Sequence, residues 1–103
     1  MRVIVLFNLK PGTDVAHYEE WARTRDIPGV RSLPSIDDFQ IYRTTGLLGG
    51  TAAAPYDYVE IIDIADVDGF FKDVTGETSK AIAREFQAFL GEEPLFMQTE
   101  PLT

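Results

Sequence analysis

The chain has 103 residues, no cysteine and a formal net charge of −8. That length points to a single domain spanning residues 1–103, able to bury only roughly 60–68 % of the surface its unfolded form exposes. The acidic balance argues against nucleic acid or an anionic membrane as partner, because both reward clustered Lys and Arg. The lack of cysteine excludes disulfides and thiolate chemistry and suits a reducing cytoplasm.

Residues 2–9 (RVIVLFNL) are β-branched and aromatic-rich, and Lys10-Pro11-Gly12 stops them as a turn. The apolar run before Asn8 is short and lacks a small-residue cleavage site, so it reads as a strand and not as a signal or a span. Thr13 or Asp14 can cap a helix running to about Arg25, which Pro28 should end. DFQIYRTT, 38–45, is a second strand. Residues 46–55 (GLLGGTAAAP) form an uncharged connection whose Leu47-Leu48 pair fits a hairpin tip against a partner subunit, or a docking surface. YDYVEIIDI, 56–64, is a third strand. Asp66 or Asp68 caps a short helix over DGFFKDV, a second helix follows at 78–90, and LFMQT, 95–99, closes the chain as a strand.

The order β-α-β-β-α-β predicts an α+β, ferredoxin-like domain: a four-stranded antiparallel sheet with its helices on one face. Strands 1 and 3 carry apolar residues on both parities, where a sheet with one wet face should alternate. The helices cover one face, so a homodimer packed sheet against sheet would cover the other.

The segment 17–43 collects the only His, the only Trp and four Arg. His17 would sit near the helix N-terminus, where the dipole favours a neutral ring able to act as base; it could equally be a surface His packed on Trp21, one turn on. Asp26, near a helix end, is a candidate proton-transfer group; alternatively it forms a turn, or makes a salt bridge to Arg23 or Arg25. Glu60 is the sharpest single residue. It lies mid-strand between apolar neighbours, and burial there would perturb its pKa. Tyr58 shares its side of the strand. Tyr42 and Arg43 lie on opposite faces of the neighbouring strand, so one of them could look towards Glu60. Asn8 could hold a substrate carbonyl or satisfy a strand end. There is no P-loop, GxGxxG, HExxH, CxxC or nucleophile-elbow pattern, and one His with no Cys gives no metal-site spacing. The remaining chemistry is proton transfer by carboxylate, His and Tyr, with stacking of a planar ligand, and no cofactor or metal.

VIVLFNLKPG at 3–12, YEEWARTRDIPGVRSLPSIDDFQIYRTTGLLG at 18–49, YDYVEIIDI at 56–64 and the segments EFQAFL and EEPLFMQTE within 85–100 resemble the RedY-like/HapK family of the dimeric α+β barrel superfamily. The stretch 18–36 is also similar to the EthD-like branch: Tyr18, Trp21, Pro28 and Leu33-Pro34 correspond, and Asp26 stands where that branch has a His. The resemblance implies a dimeric α+β barrel and a small cofactor-free enzyme acting on a pyrrole- or indole-derived intermediate of prodiginine or bisindole type. Cyclisation with loss of water is the reaction expected. Glu60, Asp26 and His17 would be catalytic; Asn8, Trp21, Tyr42, Arg43 and Tyr58 would bind substrate. A cofactor-free monooxygenase on an electron-rich aromatic substrate and a non-catalytic binding protein for a reactive intermediate are the alternatives.

Overall fold

A computed structural model describes residues 1–103. Strand β1 (Arg2–Phe7) leads to helix α1 (Val15–Trp21), a π-helical turn (Ala22–Asp26) and helix α2 (Ile27–Arg31). Strands β2 (Ile36–Arg43) and β3 (Tyr58–Ile64) follow, then helices α3 (Val67–Asp73) and α4 (Glu77–Ala88) and strand β4 (Leu95–Thr99). The four strands form one antiparallel sheet in the order β2-β3-β1-β4, the ferredoxin-like arrangement.

Local chemistry sets the boundaries. Gly12 takes φ 83°, the left-handed conformation that lets the chain turn after β1. Asp14, not Thr13, is the N-cap of α1: its Oδ1 accepts the amides of Ala16 at 3.0 Å and His17 at 3.4 Å. Asp66, not Asp68, caps α3 by accepting the Gly69 amide. Strand β3 begins at Tyr58 and not at Tyr56, because the Asp57 amide donates to Asn8 Oδ1 at 2.8 Å and its carbonyl accepts the Thr44 amide.

One expectation is overturned. Pro28 does not end the first helical segment, which continues to Arg31. The π turn restarts the hydrogen-bond ladder, with the Ile27 amide donating to Ala22, and Pro28 falls in the first turn of α2, where its missing N–H costs nothing.

The sheet has two faces. Val5, Phe7, Phe39, Tyr58, Glu60, Ile62 and Ile64 point at the helices, where Tyr18 and Ala22 complete the buried cluster. Phe7 stacks on Tyr58 with centroids 5.3 Å apart and meets Phe86 edge-on at 5.0 Å. On the opposite face Ile4 pairs with Ile61 and Met97, and Leu6 with Val59 and Leu95, a continuous apolar patch carrying half-buried and exposed side chains. Only 13 of 103 residues are buried, so the core lies on one side of the sheet alone. The β2–β3 connection leaves Leu48 fully exposed. No helix is long and apolar enough to cross a membrane.

Candidate functional site

Between sheet and helices lies a cavity of about 190 Å³, lined by 14 residues of which ten are hydrophobic. The remaining four are Asp26, Gly29, Glu60 and Ser79, so the ionisable groups of the cavity are two carboxyls. They reach it from opposite layers. Glu60 comes from the centre of β3, beside Ile41 of β2 and Val5 of β1. Asp26 comes from the end of the π turn.

That turn places Asp26. The buried residues along the segment are Tyr18, Ala22 and Asp26, spaced i, i+4, i+8. In a regular α-helix such a set drifts by roughly 80° about the axis. The wider π turn takes back much of the drift in its second half and keeps Asp26 on the stripe that faces the sheet.

Both carboxyls are deeply buried, Asp26 5 % and Glu60 4 % exposed. Glu60 Oε2 is fully enclosed with its bonding capacity unused, and Asp26 has no counter-ion, because the arginines near it pair with Glu19, Glu85 and Asp38. A buried charge without a partner is costly, so such groups hold their protons instead. Burial pushes Asp26 up to about 7, helped by the negative charge of Glu85. Burial pushes Glu60 well above the usual carboxylate range, and the charge that Asp26 takes on pushes it further. Both carboxyls are therefore held protonated to higher pH than a free carboxylic acid, and the charge on one makes the other harder to ionise.

Tyr18 carries the second enclosed polar atom without a partner. Its ring packs among Phe7, Tyr58, Trp21 and Phe89, and its hydroxyl has no partner. Burial and the neighbouring Glu60 and Asp26 charges push its pKa up. In the sequence it enters only through the EthD-like correspondence, not as a site residue. The available signal was its spacing of four and eight residues from Ala22 and Asp26.

The other expected site residues are dispersed. His17 is exposed at N3 of α1, against Phe89 at 5.7 Å, in a surface hollow with Lys10, Trp21 and Glu85; it does not join Asp26 and Glu60. Trp21 donates its indole N–H to Glu85 Oε1 at 2.8 Å and stacks on Phe86, which lines the cavity from behind. Asn8 ties a strand end, donating to Pro55 O and accepting from the Asp57 amide. Tyr42 points to the far face of the sheet and bonds Gln40. Arg43 is the member of that pair on the helix side, but it reaches Glu19 and not Glu60, with two contacts of 2.7 Å. Tyr58 shares the side of Glu60, as expected, and donates its hydroxyl to Glu19 Oε2 at 2.7 Å. Glu19, held by Arg43, Tyr58 and Arg23, is lowered to about 2. Glu85, gripped bidentately by Arg25 and by Trp21, is likewise lowered to about 2. No group of three or more His, Cys, Asp or Glu side chains converges in a way that could hold a metal ion.

Residues 1–102 match the family model described as REDY-like protein HapK. Among solved structures, HapK from Hahella chejuensis is 27 % identical, the match covering 97 % of this chain and 93 % of that one with a TM-score of 0.73. An ethyl tert-butyl ether d (EthD) family protein from Bacillus halodurans is 20 % identical over 98 % of this chain and 97 % of its own, with a TM-score of 0.71. A protein from Thermobifida fusca described as dimeric, ferredoxin-like and of unknown function is 18 % identical over 95 % and 89 %, with a TM-score of 0.68. A search among curated proteins gave no match.

Proposed function

This chain belongs to the REDY-like HapK family, and on that footing we propose that the cavity is the active site of a small acid/base enzyme in which Asp26 and Glu60 divide the two roles. The observation that carries the reading is the pair of buried carboxyls in a largely apolar cavity, Glu60 with an enclosed unpartnered oxygen and Asp26 without a counter-ion. Unpaired buried carboxyls are unfavourable for folding, and their retention in a core this thin is explained by chemistry done there. Asp26, ionising near neutral pH, is the base; Glu60, still protonated, is the acid.

The reaction we infer is cyclisation with loss of water on a pyrrole- or indole-type intermediate. Glu60 gives its proton to the departing hydroxyl, which leaves as water. Asp26 takes the proton released as the ring closes. After turnover Asp26 is protonated and Glu60 ionised, and the proton returns across the same cavity. No electrons enter or leave. The residues an oxygen-dependent reaction would lean on, Trp21, Tyr42 and Asn8, lie outside the cavity, so no observation favours that alternative.

The test is conversion of a linear pyrrole- or indole-type precursor by the purified protein with and without air. Glu60→Gln and Asp26→Asn should each lower turnover by about 10²–10⁴-fold with the circular dichroism spectrum unchanged. Full activity in both variants would sink the assignment. A ligand that binds stoichiometrically and emerges unchanged would favour the binding protein.

We further infer that the chain works as a homodimer joined through the apolar outer face of the sheet. Support comes from the patch built on Ile4, Leu6, Val59 and Ile61, and from the Thermobifida fusca protein described as dimeric.

A further inference from the structure

The cavity has a charge pattern that restricts what can enter it. None of its lining residues is Lys, Arg or His. The four arginines of the adjacent segment are all engaged elsewhere. Arg23 and Arg43 are on Glu19, Arg25 is on Glu85, and Arg31 donates to the Phe39 carbonyl and pairs with Asp38. Asp26 and Glu60 therefore face the cavity with no positive charge from the chain to meet them. Around them stand aromatic side chains, Phe39, Phe70, Phe86 and Phe96, whose faces attract cations. The net charge of −8 adds a field that draws cations and repels anions.

We propose that the cavity takes an apolar ligand bearing a protonated nitrogen, an ammonium or iminium, whose N–H groups are received by the Asp26 and Glu60 carboxyls between the aromatic walls. A cation placed there supplies the missing counter-charge and satisfies the vacant acceptor at Glu60 Oε2. An anion would be buried beside a carboxylate, and a neutral hydrocarbon would leave both carboxyls unpaired. The cavity volume of about 190 Å³ suits a ligand head of one small ring system, with any longer tail leaving past Phe96, which is largely exposed at its rim. The inference rests on the cavity being the working site, and it adds the charge of what binds there.

The experiment uses three isosteric probes on the full chain at about pH 8, where Asp26 is ionised: 2-phenylethylamine, 2-phenylethanol and phenylacetate. Binding is followed by calorimetry and by the fluorescence of Trp21, the only tryptophan, which stacks on the cavity-lining Phe86. The amine should bind at least about tenfold more tightly than the alcohol, and phenylacetate should not compete. Asp26→Asn should erase the preference for the cation. Equal or tighter binding of the alcohol or the anion, no binding of the amine at millimolar concentration, or a cation preference that survives Asp26→Asn would each overturn the proposal. Turnover by Glu60→Gln reports separately on the acid/base reading. A cation-selective cavity in a chain whose Glu60→Gln variant is fully active would leave the ligand class standing and remove the mechanism.

Discussion

Asp26 and Glu60 close on one cavity from opposite layers of the domain, the first at the end of a π turn and without a counter-ion, the second at the centre of the sheet with Oε2 enclosed and unpartnered. The relation is antagonistic: each ionised form penalises the other, so the pair holds a proton at neutral pH.

Asp26→Asn should make the protein more stable above neutral pH. The folded-state pKa of Asp26, about 7, lies above its ordinary value of 3.8. The folded protein thus binds the proton more tightly than the unfolded chain does, and the stability this gives is complete below the unfolded value and lost as pH rises through about 7. The full shift corresponds to roughly 4 kcal/mol as an upper bound, of which about 1–3 kcal/mol is the expected gain for Asn at pH 8. Little change is expected near pH 4. Urea unfolding at both pH values checks this, and a variant destabilised at pH 8 would contradict the burial of an unpaired carboxylate.

The rate of the wild-type enzyme should follow a bell. Activity rises through about 7 as Asp26 becomes the carboxylate base, then falls at higher pH where Glu60 gives up its proton. The groups near Asp26 that shape the rising limb are Glu60 on the sheet, Tyr18 on α1 and Glu85 on α4, the last held by Arg25. Asp26→Asn should abolish the rising limb. A profile flat between about pH 5 and 8 would remove Asp26 as the base.

Two tyrosine hydroxyls should differ in what they contribute. Tyr58 donates to the Glu19 carboxylate at 2.7 Å, whereas the buried Tyr18 hydroxyl has no partner. Tyr58→Phe should cost about 1–2 kcal/mol, and Tyr18→Phe should be neutral or slightly stabilising. Equal losses in thermal unfolding would show that the Tyr18 hydroxyl is satisfied in solution.

Much of this architecture was legible in the sequence. The apolar residues on both parities of β1 and β3 follow from β-branched patterning, and Glu60 stands out because a charge interrupts an apolar run. Asp26 was harder to place. Its orientation depends on a π turn that no simple periodicity announces, and a proline two residues on suggests a helix end where the chain in fact restarts one. His17 and Trp21 lie close to it in the sequence. The helix turns them instead towards the hollow beside α4. Tyr42 and Arg43 could be assigned to faces only through their register with Val59 and Tyr58.

A single charge on the outer face should dissolve the dimer. Ile61 sits opposite Ile4 and Gln40 in the middle of the apolar patch. Ile61→Lys would bury an unpaired ammonium in a sheet-to-sheet interface, which neither layer could match. Light scattering should give twice the chain mass for the wild type and the single mass for the variant. A wild-type monomer at about 100 µM would refute the dimer, since an interface over such a patch should hold well below that concentration.

Gly29→Ala should shrink the cavity without breaking the fold. Gly29 lies where α2 approaches α4, and a methyl group there would collide with Ile82 Cδ1. The obstacle is the far end of a side chain and not backbone, so Ile82 can turn away. The space beside it is the cavity, which Gly29 and Ile82 both line. Turning Ile82 into that space removes room from a volume of about 190 Å³. The expected result is a modest stability change, about 1 kcal/mol or less, together with weaker binding of bulky ligands and unchanged binding of small ones. The contrast between a two-ring amine and methylamine, measured by the same titration on wild type and variant, reads this directly. Equal loss for both amines would mean that Ile82 moves elsewhere and that Gly29 does not set the size of the site.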